Sequence, residues 1–114
     1  MTPQQFRVLA LSFPGVVETP HFDRAGFKIV SKRIFATLHE ATQTVNIMLS
    51  PADQKAFCSL EKKIAYPVPN KWGLNGATTV EILKAKPEFM QAALEAAYQA
   101  AMNSKKKAKP KSAK

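Results

Sequence analysis

Two groups of side chains in this 114-residue sequence carry recognisable chemistry, and both are cationic. Lys28, Lys32 and Arg33 surround the dipeptide Ser31-Lys32, and Lys71 precedes the lone tryptophan, Trp72, between Asn70 and Asn75. Ammonium and guanidinium groups neutralise phosphate, and a guanidinium also matches the acceptor edge of guanine. An indole offers a stacking surface to an unpaired base, and amides add hydrogen bonds. A third cationic group is the terminal run Lys105, Lys106, Lys107, Lys109, Lys111 and Lys114. It holds six of the seventeen basic residues, so only +3 of the net charge of +9 belongs to the rest of the chain. Each group also has a plainer role: soluble turns at a sheet edge, a tryptophan closing the end of a core, and a solvated tail.

Catalytic patterns are absent. His21 and His39 are well separated, Cys58 has no neighbouring histidine, and neither C-x-x-C nor H-E-x-x-H spacing occurs. The eight carboxylates are scattered among basic residues rather than clustered as a hard cation requires. There is no P-loop and no G-x-G-x-x-G. Gly73-Leu74-Asn75-Gly76 has the spacing of a nucleic-acid-clamping G-x-x-G loop, but it precedes a strand and reads as a turn. These patterns predict a non-enzyme with no cofactor and no metal, and with Cys58 as a small buried apolar residue.

Length permits one domain, and an apolar fraction of 46% is ordinary for a globular protein. One cysteine excludes an intrachain disulfide and makes a reducing, cytoplasmic setting the expectation. No stretch approaches the roughly 18 to 20 apolar residues of a membrane span, and the N-terminus has no leader pattern.

The elements that must position these groups follow from periodicity. Thr2-Pro3-Gln4-Gln5 is a capping-box helix start; Phe6, Leu9, Ala10 and Phe13 supply the apolar face, and Pro14-Gly15 ends the helix. From Gly26 to Leu49 the period is two, predicting strands at 27–30, 33–38 and 44–49 joined by Ser31-Lys32 and Glu40-Ala41-Thr42. Turns this short make the strands antiparallel. Ser50-Pro51-Ala52-Asp53 starts a second helix running to about Leu60. Ile64-Ala65-Tyr66 reads as an edge strand before Pro67 and Pro69, then comes a loop, then a strand over 77–83. Pro87-Glu88 opens a long helix whose stripe includes Phe89, Met90, Ala93, Leu94, Ala97, Tyr98 and Ala101. The prediction is an α+β domain over residues 1–104, an antiparallel β-sheet with N- and C-terminal helices packed on one face, followed by a disordered lysine-rich tail over 105–114.

Leu11-Ser12-Phe13-Pro14-Gly15-Val16-Val17-Glu18, then Phe27-Lys28-Ile29-Val30 leading into Arg33-Ile34-Phe35-Ala36-Thr37-Leu38, then Lys71-Trp72-Gly73 through Asn75-Gly76 resemble the YjbR/MmcQ-like family in order and spacing. The resemblance spans about residues 3 to 103. It implies a frataxin/CyaY-like fold and a proposed DNA-binding surface built from projecting hairpins. Ala77-Thr78-Thr79 stands where many members carry aromatic character.

Residues and resemblance together predict a non-enzymatic DNA-binding protein. Its surface would comprise Lys28, Lys32, Arg33, Lys71, Trp72 and Asn75, with Lys105, Lys106 and Lys107 as a non-specific tether. Two alternatives are an adaptor that docks an acidic protein partner, and a small-molecule-binding protein or enzyme with a pocket near His21, Tyr66 and Trp72.

Overall fold

Thr2 begins the first helix as the sequence requires: its hydroxyl accepts from the Gln5 N–H at 3.1 Å, and the Gln5 Oε1 accepts from the Thr2 N–H at 2.9 Å. The computed structural model describes residues 1–103. The predicted tail, with Lys105, Lys106 and Lys107, lies outside them.

Helix α1 spans Pro3–Leu11. Strands β1 (Val16–His21), β2 (Arg24–Ile29), β3 (Ile34–His39) and β4 (Thr44–Met48) follow as a meander. Helix α2 (Pro51–Leu60), strand β5 (Ala65–Pro67), the short helix α3 (Lys71–Leu74), strand β6 (Ala77–Glu81), a 3-10 turn and helix α4 (Pro87–Met102) complete the chain. The six strands form one antiparallel sheet in the order β1-β2-β3-β4-β6-β5.

One face of the sheet is the core. Phe27, Ala36, Leu38, Val45, Ile47 and Val80 come into register there and are buried. Phe6 and Ala10 of α1 and Met90, Ala93, Leu94, Ala97, Tyr98 and Ala101 of α4 are buried against it. Phe6 meets Phe27 edge-on with ring centroids 5.5 Å apart, and Phe35 meets Tyr98 edge-on at 5.9 Å. The Tyr98 hydroxyl donates to the Pro14 carbonyl at 2.6 Å, fastening α4 to the turn after α1. Each fully buried large apolar side chain contributes roughly 1.5–3 kcal/mol, so this face dominates stability.

Four local features depart from the sequence expectation. Strand β1 occupies Val16–His21, where the non-alternating Val-Val-Glu-Thr-Pro-His hid an edge strand. Register shifts between β2 and β3, pairing Phe27 with Ala36 but Lys28 with Ile34. The extra residue, Phe35, therefore joins Ala36 in the core instead of alternating away from it. The loop before β6 contains α3. Strand β6 stops at Glu81, and Ile82–Lys84 coil into a 3-10 turn that buries Ile82. Both sheet edges are short or broken: β1 carries Pro20, and β5 is three residues ending at Pro67.

Candidate functional site on the open sheet face

Among the described residues no helix covers the centre of the other sheet face. Alternation places Gly26 and Lys28 of β2, Thr37 of β3, Asn46 and Met48 of β4, and Thr79 of β6 on it, in register across the strands. Two structures rise above this floor. The β1–β2 turn, His21-Phe22-Asp23-Arg24, forms one wall, and the segment Val68-Pro69-Asn70-Lys71-Trp72 forms the other. Between them is a cleft of about 410 Å³ lined by these walls and by Thr37, Asn46, Met48 and Ala77.

The first wall is held under strain. Phe22 has a φ of 59°, left-handed backbone that a bulky residue resists, and it is 94% exposed. Asp23 fixes the turn: its Oδ2 lies 3.0 Å from the His39 Nε2, while the His39 Nδ1 lies 2.7 Å from the Thr42 hydroxyl. His21 packs against the edge of Phe22, with ring centroids 4.9 Å apart.

The second wall depends on close backbone packing. A Cβ on Gly73 would stand 1.7 Å from the Val68 carbonyl oxygen, and one on Gly76 would stand 1.8 Å from that of Leu49. Only glycine lets α3 sit down on these carbonyls. The Asn70 Oδ1 caps α3 by accepting from the Trp72 N–H at 2.8 Å, and the Gln54 Nε2 donates to the carbonyls of Gly73 and Ala77 at 2.8 and 3.0 Å. The outcome is that Trp72 is 67% exposed beside the cleft. It does not close the core.

A second cavity of about 340 Å³ continues past Trp72 and is lined by Arg33, Met48, Ser50, Asn75, Ala77 and their neighbours. Trp72, Met48 and Ala77 border both cavities, so the two adjoin, and the second also reaches Ala100 of α4. Three of the sequence-predicted residues, Arg33, Trp72 and Asn75, thus share a cavity. Lys71 adjoins them on α3, and Lys28 and Lys32 lie on β2 and in the turn that leads to Arg33, outside the lining of either cavity. His21 and Trp72 share the larger cleft, whereas Tyr66 is outside its lining and donates to the Glu81 Oε2 at 2.9 Å.

Phe22, Arg24, Thr37 and Asn46 are site residues that sequence reasoning missed. Arg24 borders this cleft and a neighbouring cavity near Arg7, Glu18 and Glu40, and its Nη1 is buried without a hydrogen-bond partner. The Arg7 guanidinium is instead satisfied, at 2.6 Å from Glu40 and 3.1 Å from Glu18. Those hydrogen bonds, Glu40 first, raise its pKa and lock in its charge. Among the described residues Arg24, Lys28, Arg33 and Lys71 form no salt bridge.

Cys58 is half-buried on α2 rather than fully buried, and burial pushes its thiol pKa up, away from the reactive thiolate. It borders a separate cavity that neither His21 nor His39 lines. Among the described residues no group of three or more His, Cys, Asp or Glu is placed to hold a metal. No helix among them is long and apolar enough to cross a membrane.

Fold and groove together define an α+β protein in which two helices cover one sheet face and an aromatic-rimmed groove crosses the other. The chain belongs to the YjbR family, whose model matches residues 11–100. It is also similar in structure to a Deinococcus radiodurans protein, DR2400, described by its DUF419 domain. The TM-score is 0.74 at 19% identity, covering 90% of this chain and 79% of that one. At that identity the likeness concerns the fold. No curated protein matches the chain.

Proposed function

We propose that the protein binds nucleic acid as a single strand laid across the open sheet face. The observation that carries this reading is the pair of exposed rings, Phe22 and Trp72, bordering a largely apolar cleft beside cations free of salt bridges. Exposed aromatics on a sheet are what unpaired bases stack on, and Arg24, Lys28, Arg33 and Lys71 are the partners that a phosphate backbone takes. Arg33 borders a cavity beside Trp72, and a groove next to an exposed ring suits a flexible strand. The groove supplies binding and orientation, and nothing in it pairs a nucleophile with a base, so the proposal is for a binding module.

The test is fluorescence anisotropy of labelled twelve-nucleotide single strands and of the matching duplex, across a salt series. Single strands are expected to bind more tightly than the duplex, with affinity falling as salt rises. Absence of binding to either at low salt rejects the proposal. A second reading, a free planar ligand, is favoured by the size of the cleft, which falls within the range of small-molecule sites.

A further inference from the structure

Thr37 is 4% exposed and lies on the cleft floor, yet among the described residues its hydroxyl makes no hydrogen bond. The hydroxyl is not sealed from the cleft, so it can bond whatever enters. Its neighbour across the ladder, Asn46, is half-committed. The Oδ1 accepts from the Thr79 hydroxyl at 2.8 Å, which fixes the amide so that its NH₂ remains to donate. Asn70 repeats the pattern on the wall, with its Oδ1 spent on the Trp72 N–H. Arg24 adds a guanidinium whose Nη1 is buried without a partner. The one carboxylate of the lining, Asp23, engages His39 through Oδ2. The cleft therefore offers fixed donors at Arg24, Asn46 and Asn70 and a hydroxyl at Thr37, beneath two flat rings.

Resting on the nucleic-acid reading above, we infer that this cleft receives one unstacked base of the strand and selects for ring carbonyls. Thymine, uracil, guanine and cytosine each present a ring carbonyl oxygen to such donors. Adenine has no ring carbonyl and sets an exocyclic amino group against the fixed amide of Asn46. Selection by buried polar groups is steep because a wrong base leaves them unpaired. Lys28, Arg33 and Lys71 grip the flanking backbone and are indifferent to the base.

The experiment uses the full chain, with Trp72 as the intrinsic fluorophore, and titrates three single strands of equal length. One is oligothymidine, one is oligodeoxyadenosine, and one is oligothymidine with abasic sites throughout. Oligothymidine is expected to quench Trp72 and to bind at least about tenfold more tightly than either of the others, since each well-read base is worth about 1–3 kcal/mol. Equal affinity for the thymine and abasic strands, or for the thymine and adenine strands, overturns the inference while leaving backbone binding intact. No binding by any strand removes both. Thymidine 5′-monophosphate is the fourth arm: binding as tight as the oligomer assigns the cleft to free nucleotides and overturns the strand. Thr37→Val keeps shape and burial, so its expected loss of thymine preference at unchanged melting temperature reports the hydroxyl itself. Retained preference in that folded variant counts against the inference.

Discussion

Phe22 holds a left-handed backbone angle while its ring stands almost wholly in solvent, so folding gains little from the residue in return for the strain. Left-handed geometry at a non-glycine residue costs about 1–3 kcal/mol, of which glycine's greater unfolded-state freedom would cancel a part. Phe22→Gly is therefore expected to leave stability unchanged or raise it by up to about 1 kcal/mol in chemical denaturation. The same variant should lose about 1–3 kcal/mol of single-strand affinity, the worth of one stacked base. Trp72→Ala should show the same loss of affinity with a near-neutral effect on stability, because Trp72 is 67% exposed. A fall in stability of several kcal/mol on either change would return the ring to the core. Arg33, Trp72 and Asn75 were legible in the sequence because their chemistry is local, whereas Arg24 was not. Phe22 was not, since its meaning depends on β1 being a strand and on a turn that bends back toward Trp72.

At the scale of elements, glycine spacing sets the height of the second wall. Gly73→Ala puts a methyl group 1.7 Å from the Val68 carbonyl oxygen, and α3 must lift. The expected cost is about 1–3 kcal/mol in denaturation, accompanied by weaker binding, because Trp72 moves with α3. A second element-level expectation concerns pH. Hydrogen bonds from Lys84 and then Tyr66 hold the Glu81 carboxyl below its ordinary value, while burial and the bond to Glu81 raise the Tyr66 hydroxyl. A depressed carboxyl stabilises the fold above the unfolded value of 4.5 and loses that contribution as pH falls through the lower folded value. A raised phenol stabilises below the unfolded value of 10.0 and loses it as pH climbs toward the higher folded one. The melting-temperature difference between the protein and Tyr66→Phe should thus be largest near neutrality and shrink at both extremes. A difference that stays constant from acid to alkali would remove the Tyr66–Glu81 bond from the account. Elements with strong punctuation were read well: the capping box at Thr2 and Gln5, the cap at Ser50, and the stripe of α4. Strand β1 escaped because Pro20 and the adjacent valines break alternation. Helix α3 escaped because four residues are too few for any period to show.

For the whole molecule, charge divides between a groove and a terminal run with different tasks. On the proposed reading, the six lysines after residue 104 would add electrostatic attraction with no choice of base, whereas the donors on the sheet would add choice. Removing residues 105–114 should lower the slope of log affinity against log salt by up to about 4, taking roughly 0.7 per phosphate neutralised on a single strand. Preference for thymine over adenine strands should survive the truncation, as measured by the same titrations. An unchanged slope would show that the run contributes nothing to binding. The two sheet edges bear on how any partner approaches. Pro20 interrupts the backbone donors of β1, and β5 ends at Pro67 after three residues, so neither flank is a template for a seventh strand. Zipper-like pairing with a peptide, or with a second copy in a growing fibril, finds no purchase there. On the proposed reading, discrimination would be left to side chains on the sheet floor, where changing one residue would retune what is recognised without disturbing the ladder beneath it.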